Sequence, residues 1–135
     1  RDTMKRHVEV AGALFVENGK VLAFARGDAK YAYVAHKFEF PGGKVEEGET
    51  PRAALRRELL EELDLTAEVC DIFDTSTYEY PDFIITLHVC LCRRLSDYSL
   101  KEHVRVCRLG ADELDPSEWA PADAHALAKI VTHLA

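Results

Sequence analysis

The sequence predicts an α/β fold, a layered sandwich with a mixed β-sheet, and three features of its 135 residues lead there. Apolar runs of strand length open the chain, a single amphipathic helix lies near its middle, and a second amphipathic helix closes it after further strand-like runs. Strands interrupted by one helix and ended by another bury their apolar faces most simply when helices cover the two sides of one sheet. The length predicts one domain over residues 1–135.

Each element has a local cause. Residues 8–16 and 20–26 are apolar runs separated by Asn18-Gly19, a pair that accepts the positive φ of a two-residue hairpin turn. Residues 27–35 form a polar, tyrosine-containing loop at a pocket mouth, and residues 36–40 read as a short strand stopped by Pro41-Gly42-Gly43. Thr50 is an N-cap with Pro51 at the first helical position. The helix over 51–63 carries Ala54, Leu55, Leu59 and Leu63 as a buried stripe and Arg57, Glu58, Glu61 and Glu62 on its polar side. Strands follow over 66–73, 75–79 and 83–94, with Tyr80-Pro81-Asp82 as the turn before the last. Residues 103–109 are another strand and 116–119 an irregular connection. The closing helix, 122–134, has Leu127, Ile130, Val131 and Leu134 as its apolar face.

Composition narrows the function. Hydrophobic residues make up 47% and charged residues 30%, the balance of a globular protein. A net charge of −7 argues against general affinity for a nucleic-acid polymer. It leaves room for a phosphorylated small molecule whose charge a divalent metal neutralises. The four cysteines have no metal-site spacing, and Cys90 and Cys92 alternate with Leu91 as small hydrophobes facing one side of a strand. Reduced cysteines, no signal peptide and no membrane-length apolar run predict a cytoplasmic protein with no membrane partner. Met4 reads as a natural start preceded by a three-residue remnant.

The helix face holds the chemistry. Glu58, Glu61 and Glu62 share it, because positions i, i+3 and i+4 are neighbours on a helix. Like charges there cost an isolated helix roughly 0.2–0.5 kcal/mol per pair. The crowding makes sense in front of a hard cation such as Mg²⁺, which prefers carboxylate and phosphate oxygens. Reading outward, Gly43, Glu49, Arg57-Glu58-Leu59, Glu61-Glu62 and Asp64-Leu65 follow the spacing G-x5-E-x7-R-E-U-x-E-E-x-G-U, where U is a bulky aliphatic. This resembles the Nudix box, with one departure, Asp64 in place of glycine. The lead-in Phe38-Glu39-Phe40-Pro41-Gly42-Gly43-Lys44-Val45-Glu46 resembles the MutT-like branch of the Nudix hydrolases.

The resemblance implies a Nudix-type α/β/α sandwich and a set of roles. The Gly43 carbonyl, Glu58, Glu61 and Glu62 match metal contacts for Mg²⁺, with Mn²⁺ as a substitute. Arg57 matches the residue that orients a glutamate, and Glu49 ties the loop to the helix start. Asp64 is expected to adopt the left-handed conformation that Asp tolerates better than most residues. Glu102, in Leu100-Lys101-Glu102-His103, resembles a further metal-binding glutamate; the general base is either Glu58 or Glu102, and His103 is structural.

The implied reaction is attack of water on a bridging diphosphate of a (deoxy)nucleoside triphosphate, releasing the monophosphate and pyrophosphate. Trp119-Ala120-Pro121-Ala122-Asp123 resembles the segment that reads the base. An ionised Asp123 only accepts hydrogen bonds and suits a cytosine-type amine; a buried, protonated Asp123 donates, and a purine fits again. Arg26 and Lys37 are phosphate or ribose contacts or else surface charges, while Glu39 and Phe40 line the nucleoside pocket. Tyr31, Tyr33, Phe73 and Tyr78 either stack on a base or pack the fold. The alternatives are an 8-oxo-dGTP diphosphatase of the MutT type, a dinucleoside or nucleotide-sugar diphosphate hydrolase, and a non-catalytic nucleotide-binding module. The assembly is expected to be a monomer or homodimer.

Overall fold

A computed structural model describes residues 5–135, so the reading of Met4 as the start lies outside the described residues. The strands are β1 (Arg6–Glu17), β2 (Lys20–Arg26), β3 (Phe38–Glu39), β4 (Gly42–Lys44), β5 (Ala67–Glu79), β6 (Phe83–Arg94) and β7 (His103–Leu109). Helix α1 (Pro51–Leu63) follows β4, and α2 (Pro121–Ala124) and α3 (Leu127–Leu134) end the chain after short 3-10 turns at Ala111–Glu113 and Pro116–Glu118.

The sheet is mixed because β1 runs parallel to β6, from Arg6 opposite Phe83 to Phe15 opposite Cys92. The other strand pairs among the described residues are antiparallel, β5 with β6, β4 and β2 with β1, and β3 and β7 with β2, while a single parallel bridge joins Phe38 to Trp119. The expected hairpin forms at Asn18 and Gly19, both with positive φ (54° and 75°).

Side-chain alternation along the strands sorts the core into two layers. Ala11, Ala13 and Phe15 of β1, with Cys90 and Cys92 of β6, pack with Leu55, Leu59 and Leu63 of α1. Leu14 of β1 and Leu87 and Val89 of β6 face the other way, onto Trp119, Leu127 and Ile130. Burial on both faces explains why these strands read as continuous apolar runs. The α/β/α sandwich is therefore as expected.

Helix α1 begins and ends where its caps dictate. The Thr50 hydroxyl accepts from the Ala53 N–H at 3.1 Å, and Pro51 fills the first position. Asp64 ends the helix at φ 50°, ψ 34°. Its N–H donates to the Leu60 carbonyl, and the Leu65 N–H reaches back to the Leu59 carbonyl at 3.2 Å, closing two of the carbonyls a helix end leaves open.

Four expectations are corrected. The closing helix is two pieces: the Ala126 N–H bonds Asp123 in a tight i to i−3 turn, and His125 Nδ1 lies 3.0 Å from Asp74 Oδ2. Val131 is then exposed, while Leu127 and Ile130 stay buried. The strands expected at 66–73 and 75–79 are one strand, β5, whose pairing to β6 shifts register around Ile72 and Asp74; bulges absorb the extra residues. Gly42 and Gly43 do not merely stop a strand but form β4 against Ala11 and Gly12.

Gly42 is required by that close approach, since a Cβ there would sit 1.9 Å from the Ala11 carbonyl oxygen. Gly42→Ala is expected to destabilise the protein by more than about 3 kcal/mol in chemical denaturation, because backbone cannot yield as a side chain can. A change below about 1 kcal/mol would show that β4 does not hold this position.

Candidate active site

Arg57 gathers the loop and the helix. Its Nε and Nη2 grip the two oxygens of Glu49 at 2.8 and 2.9 Å, a bidentate pair. Nη1 donates to Glu58 at 2.9 Å and to Glu61 at 3.3 Å, and Nη2 also reaches the Lys44 carbonyl at 3.1 Å. Glu49 accepts from the Glu46 N–H at 2.9 Å as well. These donors, the guanidinium first, lower the Glu49 carboxyl to about 2. The same carboxylates hold the guanidinium more firmly protonated than usual.

Among the described residues Glu62 and Glu102 have no such partner, and Glu58 is held through one oxygen alone. Glu58 lies against the Cα of Gly43; a Cβ at that glycine would come within 2.3 Å of its carboxyl carbon. Burial, then the charges of Glu102 and Glu58, raise the Glu62 carboxyl. Glu62 thus sits between two like charges, the condition a cation relieves. These acids are not a finished coordination shell: among the described residues no three His, Cys, Asp or Glu side chains converge on one ion-sized point. The all-oxygen donor set fits Mg²⁺ or Mn²⁺.

Beside Gly43 a cavity of about 210 Å³ is lined by Arg26, Glu39, Phe40, Gly42, Lys44 and Asp123, with Val10, Ile85 and Leu87 as its apolar wall. Asp123 is buried at 8% exposure, and its Oδ2 accepts from the Phe40 N–H at 2.9 Å. Desolvation, then the nearby Glu39 charge, pushes its carboxyl well above the usual range. Glu39 is clamped by Arg26 Nε at 3.0 Å and His103 Nε2 at 2.8 Å. Phe40 contributes its backbone here, since its ring packs 4.8 Å from that of Trp119.

Hydrogen bonds link Arg57 to Glu49, Glu58 and Glu61, and one cavity gathers Arg26, Glu39, Phe40, Gly43 and Asp123, whereas Lys37 and the candidate aromatics Tyr31, Tyr33, Phe73 and Tyr78 do not line it. That lysine lies off the cavity and donates to the Ser117 carbonyl at 2.8 Å. Tyr31 and Tyr33 stack on one another, Tyr33 stacks on Tyr80, and Phe73 packs edge-on against His133. Sequence reasoning did not single out Tyr80, whose buried hydroxyl accepts from the Ala122 N–H at 3.0 Å and steadies the turn bearing Asp123. Only its place in the Tyr80-Pro81-Asp82 turn marked it.

Arg57→Ala would strip donors from three carboxylates and one carbonyl at once. Turnover is expected to fall about 10–100-fold, the usual effect of losing a residue that orients metal ligands. Glu49 also gives a pH signature. With its carboxyl lowered from 4.5 to about 2, its contribution to stability is complete above 4.5 and is lost as pH falls through about 2. In acid unfolding followed by circular dichroism, Glu49→Gln should flatten that limb, and an unchanged limb would contradict the pairing.

Comparison with known proteins agrees with this geometry. The NUDIX domain family model matches residues 5–131. An 8-oxo-dGTP diphosphatase of Escherichia coli (strain K12) is 42% identical over 91 residues, covering 67% of this chain and 69% of that protein. A CTP pyrophosphohydrolase of the same organism is 40% identical over 81 residues, covering 60% of this chain and 58% of that protein. The solution structure of the DNA mismatch repair protein MutT from methicillin-resistant Staphylococcus aureus 252 superposes with a TM-score of 0.74 at 36% identity, covering 96% of this chain and 99% of that one. With the box acids on one helix and the family model spanning nearly all of it, the chain belongs to the NUDIX domain family and is a Nudix hydrolase of the MutT-like branch.

Proposed function

We propose that the protein hydrolyses (deoxy)nucleoside triphosphates to the nucleoside monophosphate and pyrophosphate, with Mg²⁺, or Mn²⁺ in its place, as cofactor. The observation that carries this reading is the continuity of the two halves of the site: Gly43 borders both the carboxylate face of α1 and the cavity that ends at Asp123. A nucleotide laid along that line has its base at Asp123 and its phosphates at the acids.

The residues that would hold the metal are the Gly43 carbonyl, Glu58, Glu61, Glu62 and Glu102. When bound, the ion neutralises phosphate charge and lowers the pKa of water. Arg57 fixes Glu58 and Glu61 in orientation, and Glu49 anchors Arg57 to the loop. Of the two general-base candidates we favour Glu102, because Glu58 has one oxygen committed to Arg57. Arg26 lines the cavity and orients Glu39, so it serves the substrate through that carboxylate.

Base choice turns on Asp123. One oxygen is occupied by the Phe40 N–H, leaving one for the substrate. Ionised, that oxygen accepts from an exocyclic amine and favours cytosine-type nucleotides. Burial beside Glu39 favours the protonated form, which donates to a carbonyl such as guanine O6. The second reading, an oxidised purine nucleotide as substrate, gains from that burial and from the similarity to an 8-oxo-dGTP diphosphatase.

A substrate panel across pH separates the two. If the protonated acid reads an oxidised guanine, kcat/KM for 8-oxo-dGTP is highest at low pH and falls as pH rises through the raised Asp123 pKa. If the carboxylate reads cytosine, kcat/KM for dCTP or 5-methyl-dCTP rises over the same interval. Asp123→Asn should abolish either dependence. No pyrophosphate release from any nucleoside triphosphate would refute this reading. Glu62→Gln is expected to lower turnover at least about 100-fold with the fold intact; unchanged turnover would misplace the metal site.

A further inference from the structure

The one departure from the box, Asp64, has a partner. Lys101 Nζ donates to Asp64 Oδ1 at 3.0 Å and to the Glu61 backbone carbonyl at 3.0 Å. Lys101 directly precedes Glu102 in sequence. We propose that Asp64 and Lys101 form a latch that positions the Glu102 loop over the acidic face of α1. This rests on the reading of Glu102 as a metal ligand.

Three observations carry it. First, α1 has no basic residue in its last turn, although a helix C-terminus favours a cation and leaves carbonyls to be satisfied. Lys101 supplies both from another segment, closing the Glu61 carbonyl one residue before Glu62. Second, the loop is fastened to the same helix end along its length. The Leu95 N–H donates to the Thr66 carbonyl at 2.9 Å, and the Ser99 N–H donates to the Leu63 carbonyl at 2.8 Å. Tyr98 packs edge-on against Phe24 at 5.5 Å, inside the core layer under α1. Between Ser99 and His103, which enters β7 and meets Glu39, the segment's hydrogen bonds among the described residues are those of Lys101. Third, the residue after Glu102 is fixed at the site: His103 Nε2 lies 2.8 Å from Glu39 Oε2, and Glu39 lines the cavity beside Gly43.

Asp64 is suited to this because its left-handed backbone satisfies the helix end while its side chain extends toward Lys101. A glycine there would terminate the helix equally well and leave the lysine with the carbonyl alone. Asp64 and Lys101 are positioning residues: neither lines the cavity beside Gly43.

Charge and position make opposite forecasts for the lysine, which makes the latch testable. If Lys101 acts only through its field, Lys101→Met removes a repelling cation and Mn²⁺ binds more tightly. If it positions Glu102, the same change weakens binding. Mn²⁺ titration of the full chain without nucleotide, read by calorimetry, is the measurement. Variants are Lys101→Met, Asp64→Gly, Lys101→Met/Asp64→Gly, Glu102→Gln and Lys101→Met/Glu102→Gln, with circular dichroism to confirm folding. We expect Lys101→Met and Asp64→Gly each to weaken binding by about two- to fivefold, the range of an exposed ion pair. The double variant should be little worse than either single one, and Lys101→Met should have no further effect beside Glu102→Gln. Weakening by Glu102→Gln with unchanged or tighter binding by Lys101→Met would overturn the latch alone. Unchanged binding by Glu102→Gln would overturn the assignment of Glu102 and the latch with it.

Discussion

The guanidinium of Arg57 is the constraint on which the site depends. Three glutamates on adjacent turns of α1 repel one another, and a helix so charged would fray or turn its acids outward. One fork of donors meets Glu49, Glu58, Glu61 and the Lys44 carbonyl together. Because Glu49 belongs to the loop before the helix, the interaction joins two segments that would otherwise move independently. The planar, permanently charged fork matters here, since a lysine could not hold both oxygens of Glu49 in fixed geometry.

Arg57 leaves Glu62 and Glu102 unneutralised, and that division gives the site its character. The acids it grips are oriented, while the carboxyl of Glu62, which it does not reach, is raised by burial and by the charges of Glu102 and Glu58. The sheet then sets the distance to the cavity beside Gly43. β4 brings Gly43 against Ala11 of β1 and beneath Glu58, and the adjoining turn presents the Phe40 N–H to Asp123. The acidic face of α1 and the cavity therefore meet on a single short stretch, 39–43, whose conformation depends on the absence of a Cβ at Gly42.

Local signals were legible in the sequence; contacts between distant segments were not. Asn18-Gly19, the Thr50-Pro51 start and the box spacing act within a few residues, and each appears where it was expected. The break at His125 was hidden because the apolar periodicity continues across it, while Asp74, which it contacts, lies 51 residues away. The bulges in β5 were hidden because register belongs to the partner strand. Asp123 was singled out by its motif, but its burial comes from packing beneath Phe40 and beside Glu39. Lys37, equally plausible as a basic residue near the glycines, points instead to the Ser117 carbonyl, a direction that neighbouring sequence does not encode. Lys101 and Asp64 are 37 residues apart, and only the fold makes them neighbours.

If Arg57 orients a helix face for a cation beside a nucleotide cavity, a crystal structure with Mn²⁺ and a non-hydrolysable nucleoside triphosphate analogue will reveal both sites, the metal through its anomalous scattering. The metal should lie among Glu58, Glu62 and the Gly43 carbonyl, with Arg57 still bound to Glu49 and the base against Asp123. Metal bound away from α1, or the base outside the Asp123 cavity, would contradict this arrangement.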